Sequence, residues 1–469
     1  MAAKALSENP NRLSAGNPQN VGMSMLPPDH AQRFALAEEA HARPPEPLAA
    51  PSRATYVAVL VEPADRAREL AHIGLLCEPF AVAPPSAGAT HFSASLGAVR
   101  LKWERHGEFS GYTFFTTGAS PQPFGEPPAA QLPAGWLAAV PGQTIVAAHA
   151  ELITAPEQRP DAAFLARHFN ANIAVGAEIG DGAGLAFTDF HIHADGCARF
   201  LVLDRGFTPR QAGRSLQRLF EIEAYRMLAL LALPIARHQA GRIVAVEKSL
   251  AALTEAIAND VHRAGADGRA SADSRGDEAL LHELTRLAAE VESGLAASQF
   301  RFGACRAYYE LVSTRVGELR EKRLAGIQTI EEFMARRFTP AVATCSTVSQ
   351  RLHDLSERVA QASALLSTRV DIARERQNQA LLASMDRRAK LQLRLQQTVE
   401  GLSVAAIVYY VAGVIGYLAK GLKAGGLHID PDLSVGLVIP VVAVLVVLGL
   451  RRARKKIAHA EHGAAPHTH

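Results

Sequence analysis

Cysteine is scarce in this 469-residue chain, and its four copies, Cys77, Cys197, Cys305 and Cys345, stand singly. With no Cys-x-x-Cys pair and no histidine at ligand spacing beside them, a disulfide framework or a zinc knuckle is not expected. An excess of one charge is missing as well, since 49 Lys and Arg face 46 Asp and Glu for a formal net charge of +3. That balance excludes a wholly disordered chain and a surface built to hold nucleic acid, so no nucleic-acid partner is expected. There is no phosphate-binding glycine loop, no Gly-x-Ser-x-Gly elbow and no His-Glu-x-x-His helix. An enzymatic role therefore has no motif behind it, and no cofactor can be named. The polar start lacks the apolar stretch of a signal peptide, which places the bulk of the chain in the cytoplasm.

What is present is an ordinary globular composition, 48% hydrophobic, in a length that suggests two to four domains. Residues 1–25 read as a disordered leader. Asp29 with Gln32 forms a capping-box pattern for a short helix, which must stop near His41 ahead of Pro44, Pro45 and Pro47. Strand patterns follow at 54–62, in a hairpin through HFSASLGAVRLKWE and FSGYTFFT, and at 144–153, 172–179, 185–193 and 198–204. Few helices separate them, so 26–207 is expected to be a cytoplasmic α+β domain with a mostly antiparallel sheet.

Helical patterns dominate 208–400. Thr208-Pro209 opens an amphipathic helix, a Gly/Ser/Asp-rich flexible break falls at 264–277, and Thr339-Pro340 repeats the cap-and-proline signal. Val348, Leu352, Leu355, Val359, Ala362 and Leu366 alternate steps of four and three, the seam of a coiled coil or helical bundle. A helix over 340–418 would be on the order of 100 Å long at ~1.5 Å per residue. Such a stalk suggests a homo-oligomer.

Two apolar stretches, 402–421 and 433–450, read as a transmembrane hairpin within 401–452, with a basic, His-bearing disordered tail at 453–469. Arg387, Arg388, Lys390 and Arg394 precede the first stretch, and Arg451, Arg452, Arg454, Lys455 and Lys456 follow the second. By the positive-inside rule both termini face the cytoplasm of a bacterial inner membrane, the lipid bilayer being the first partner. Tyr409, Tyr410 and Tyr417 suit an interface or a helix contact, and Gly413 with Gly416 permits close packing. Gln396 and Glu400 belong to a polar stripe at the junction, which would ring the cytoplasmic mouth if these helices gathered around a pore.

The segments HARPPEPL, HFSASLGAVRLKWERHGEFSGYTFF, LFEIEAYRMLALLALP and the run LLSTRVDIARERQNQALLASMDRRAKLQLRLQQTVEGLSVAAIVYY resemble a bacterial family of membrane-anchored proteins catalogued as a domain of unknown function. The resemblance implies a cytoplasmic domain on a C-terminal anchor and carries over no catalytic residues. The order of elements is also similar to CorA-type divalent-cation channels, although Gly416-Tyr417-Leu418 stands where those channels have Gly-Met-Asn.

Three polar clusters are candidates for chemistry. His91, Glu104, His106 and Glu108 crowd one hairpin, where a histidine beside a carboxylate suits a general base, against the plainer reading of a solvated turn. His191 and His193, at i and i+2 of an expected strand, would share a face as metal ligands do, with a structural polar face as the alternative. Glu221, Glu223 and Arg226 interrupt an apolar helix, as an internal ion pair or a site between helix and sheet. The leading reading is a non-enzymatic, membrane-anchored, self-associating protein. An oligomeric channel or transporter comes second, and a metal- or His/Glu-dependent enzyme third.

Overall fold

The computed structural model describes residues 29–34, 36–37, 44–266, 274–424 and 431–462. The leader 1–25, the helix stop near His41, part of the break at 264–277 and the last residues of the tail lie outside the described residues.

The chain divides into two compact units, Met1–Ala251 with Leu287–Val359, and Ala252–Arg286 with Ala360–His469. The first is built on a nine-stranded sheet of order β2-β3-β4-β1-β5-β8-β7-β6-β9. Its strands are β1 (Ser52–Leu60), β2 (His91–Leu96), β3 (Val99–Arg105), β4 (Phe109–Thr117), β5 (Gln143–Thr154), β6 (Val175–Ile179), β7 (Gly184–Thr188), β8 (Ala198–Asp204) and β9 (Lys322–Arg323). The expected mostly antiparallel sheet is corrected to a mixed one, because central β5 and β8 pair in parallel. The intervening helix α2 (Ala162–His168) and the β6–β7 hairpin provide the crossover that a parallel pair requires. β9 is a second departure, since it interrupts a stretch whose pattern reads as continuous helix and adds to the edge of β6.

Both faces of the sheet are covered, which explains a strand that alternates without being amphipathic. In β3, Leu101 and Trp103 enter a core with Val57, Val59, Tyr112, Phe114 and helix α1 (Arg66–Cys77), which contributes Ile73 and Leu76. The opposite face, carrying Lys102 and Glu104, is covered by α3 (Pro209–Leu230), whose Phe220 stacks on Tyr56 at 5.0 Å. Thr208 caps α3, as the Thr208-Pro209 order predicts, and the structure adds a complete capping box with Gln211.

Helices α4 (Ala232–Ala266) and α5 (Ser274–Leu319) follow. The next helical run starts at α6 (Ile330–Phe333), capped by a Thr329–Glu332 box rather than at Thr339. It passes through a π-helical turn, Met334–Phe338, into α7 (Thr339–Ala424). Pro340 lacks an N–H to donate back along the helix, and the wider turn before it accommodates that loss. Val348, Leu352, Leu355 and Val359 are buried. Arg351 of α7 pairs with Glu247 of α4 at 2.8 Å, and Ser356 donates to Glu292 of α5, so this part of the seam closes on the chain's own helices.

In the second unit, Arg369 of α7 pairs with Asp277 of α5 at 3.3 Å. Among the described residues only the run Ile330–Leu418 is long and apolar enough to cross a membrane. The apolar part of α8 (Pro431–His462) is the shorter Val435–Gly449. The expected two-span hairpin is thereby corrected to one helix of spanning length, because Arg451 ends the second apolar run well short of the ~20 residues a bilayer core requires. Gly416 is where α8 passes close: a Cβ there would meet the Val435 side chain at 3.2 Å.

Candidate functional site

The polar face of β3, the face of α3 and the N-terminal segment before β1 line a narrow pocket with a cavity volume of about 20 Å³. Its walls include Glu46, Lys102, Glu104, His106, Glu221 and Tyr225. Gly213 of α3 makes the close approach possible, since a Cβ there would lie 1.7 Å from the carbonyl oxygen of Glu46. Glu46 itself reaches to β2 and β3, accepting from Ser93 at 2.6 Å and pairing with Arg100 at 2.6 Å.

The charges inside form a chain of partners. Lys102 Nζ lies 3.0 Å from Glu104 Oε1 and donates to Gln217 Oε1 at 3.0 Å. Gln217 Nε2 donates to Glu221 Oε1 at 2.7 Å. Glu221 pairs with Arg315 of α5, which also reaches Glu318, and Glu318 accepts from Arg218 at 2.8 Å. Burial pushes the Tyr56 phenol well above its ordinary range, with Tyr225, Glu104 and Glu221 adding to the shift, so Tyr56 is a neutral donor rather than a base. His106 stacks on Phe109 at 4.2 Å. What the arrangement can do is hold water or a small ion within a latch of alternating charges that ties sheet, α3 and α5 together.

Of the hairpin candidates, the structure brings Glu104 and His106 together in the pocket wall. Buried Glu104 is thus no part of a solvated turn. Glu108 turns to α5, pairing with Arg301 at 2.8 Å and bonding Tyr308, whose phenol is pushed up by burial and then by Glu108. His91 is exposed on edge strand β2, opposite Glu104 in register. Glu223 and Arg226 form the internal pair expected of them, at 2.7 Å.

The two-histidine face is corrected. β7 ends at Thr188, and Phe190 takes φ 53°, which breaks the strand before either histidine. His191 is exposed, with Nδ1 2.7 Å from the Asp189 carbonyl oxygen. His193 is buried, with Nε2 2.9 Å from Asp189 Oδ2. Among the described residues no group of three or more His, Cys, Asp or Glu could hold a metal ion.

Tyr409, Tyr410 and Tyr417 are exposed on α7, as is Gln396, and Glu400 is half-buried. Sequence reasoning missed Glu69 of α1, fully buried and accepting from Trp103 Nε1 at 3.0 Å and Tyr112 Oη at 2.9 Å. Its signal was present, because Glu69 occupies the apolar register of Ile73 and Leu76.

Fold and pocket together define a mixed-sheet domain, latched by internal ion pairs, in a chain that continues into long helices. The chain belongs to the family described as protein of unknown function DUF3422, which it matches over residues 28–457. No curated protein and no solved structure matches it.

Proposed function

We propose that this is a non-enzymatic, membrane-anchored protein of the bacterial inner membrane, with its sheet domain on the cytoplasmic side and self-association along α7. One observation carries the reading: the apolar end of α7 is largely uncovered, with Leu402 75%, Tyr409 77% and Tyr417 80% exposed. Apolar exposure on that scale is what a lipid or protein contact would remove from water. Arg387, Arg388, Lys390 and Arg394 directly before it support a cytoplasmic approach to the bilayer. Around them Leu381, Leu382, Met385, Leu391 and Leu395 are also exposed, among too many charges for lipid, which favours a second copy of the chain.

The test is extraction of membranes from cells expressing the full chain. The protein is expected to stay in the pellet after alkaline carbonate. The double variant Ile407→Arg, Val414→Arg, carrying two charges at about 2.5–3.5 kcal/mol each in mid-membrane, is expected to wash off. Release of the unmodified protein by carbonate would overturn the anchor, and a monomer in mild detergent would overturn self-association.

A further inference from the structure

Two of the four cysteines are neighbours in space. Cys305 on α5 and Cys345 on α7 are both buried, at 2% and 3% exposure, and both line one cavity in the first unit. That cavity has a volume of about 330 Å³. Phe302, Arg306, Tyr309 and Ser346 are also part of its wall. The cavity lies beside the π-turn, where Tyr309 meets Thr339 at 3.4 Å. Neither Cys77, at the end of α1, nor Cys197, just before β8, lines it.

We propose that Cys305 and Cys345 form a peroxide-responsive dithiol–disulfide site that clasps α5 to α7. The two thiols are within hydrogen-bonding reach of each other. The bond from Cys305 lowers the Cys345 thiol, while Cys305 is raised by that bond and by burial. Cys345 is taken as the attacking thiolate and Cys305 as the resolving thiol, an order that the two serine variants distinguish.

In the first step the Cys345 thiolate attacks a hydroperoxide. An S–O bond forms, the O–O bond breaks, and the leaving alkoxide or hydroxide takes a proton to give an alcohol or water. In the second step Cys305 attacks the resulting sulfenic acid, an S–S bond forms, the S–O bond breaks, and the proton from Cys305 leaves with hydroxide as water. The two thiols together lose two electrons and two protons, and the peroxide is reduced. Cellular dithiols reverse the reaction by exchange. The cavity supplies the access that two buried sulfurs would otherwise lack.

Purified full-length protein in mild detergent, titrated with hydrogen peroxide, tests the proposal. Alkylation after denaturation is expected to count four thiols before treatment and two after, with a peptide map joining 305 to 345 and reversal by dithiothreitol. Cys345 should react at least about tenfold faster than Cys77 or Cys197. In Cys305→Ser, a sulfenic acid on Cys345 should be trapped by dimedone; in Cys345→Ser, no cross-link should form. Four alkylatable thiols after peroxide, or a bond involving Cys77, Cys197 or a second chain, would overturn the site. The map of the unmodified protein decides this even where a serine variant fails to fold.

Discussion

At the scale of single residues, the sheet buries polar groups that a central strand leaves no way to expose. His149 of β5 lies 3.1 Å from Thr55 Oγ1, and burial holds its imidazole down at about 4, with Asp195 opposing the shift and Arg199 adding to it. An unfolded histidine titrates near 6.5, so between about pH 6.5 and 4 the unfolded chain binds a proton that the folded chain refuses. Stability is therefore expected to fall as the pH drops through that window, by up to about 3 kcal/mol from this residue. His168, lowered by burial first, acts in the same direction. Urea midpoints measured at pH 7 and pH 4.5 should lie closer together in His149→Gln than in the unmodified protein; an equal separation would mean that burial does not hold the His149 imidazole down. Glu69 makes a second case. Glu69→Ala leaves the Trp103 and Tyr112 donors and the Arg66 guanidinium without their shared carboxylate, and is expected to cost about 3–5 kcal/mol in denaturant unfolding. A loss below about 1 kcal/mol would show that water replaces the carboxylate there.

At the scale of elements, periodicity was readable where one face meets one environment. The β3–β4 hairpin, the Thr208 cap and the four-three spacing of α7 all follow from residue order, because turn chemistry, capping and helix pitch are local properties. Reading failed where a single backbone angle or an edge pairing decided the matter. His191 and His193 lose their common face to the left-handed turn at Phe190, and Lys322-Arg323 becomes a strand only because the edge of β6 is there to pair with it. The seam itself makes a prediction. Leu355 is 1% exposed whereas Glu357 is exposed, so Leu355→Asp should cost at least about 3 kcal/mol of stability while Glu357→Lys stays within about 0.5 kcal/mol. Equal melting temperatures for the two variants would show that α7 does not pack as described.

At the scale of the whole molecule, anchoring and conduction make different demands on the junction before the apolar end of α7. A helix that only anchors needs no specific carboxylate there. Cation flux into proteoliposomes is accordingly expected at background for the unmodified chain and for Glu400→Gln alike. Robust uptake that disappears in Glu400→Gln would replace the anchor with a pore. The residue order by itself determined the class of the protein: an α+β domain, then long helices, then apolar stretches edged by basic residues. Those are statements about composition and period, which each segment carries alone. Tertiary structure alone decided that the sheet is mixed and covered on both faces, that Lys102 and Glu104 are buried in a latch with Gln217, Glu221 and Arg315, and that Cys305 meets Cys345. The reason is distance along the chain: partners such as Lys102 and Gln217, 115 residues apart, or Glu221 and Arg315, 94 residues apart, leave no trace in local pattern, and only the packing of sheet against helix brings them within bonding reach.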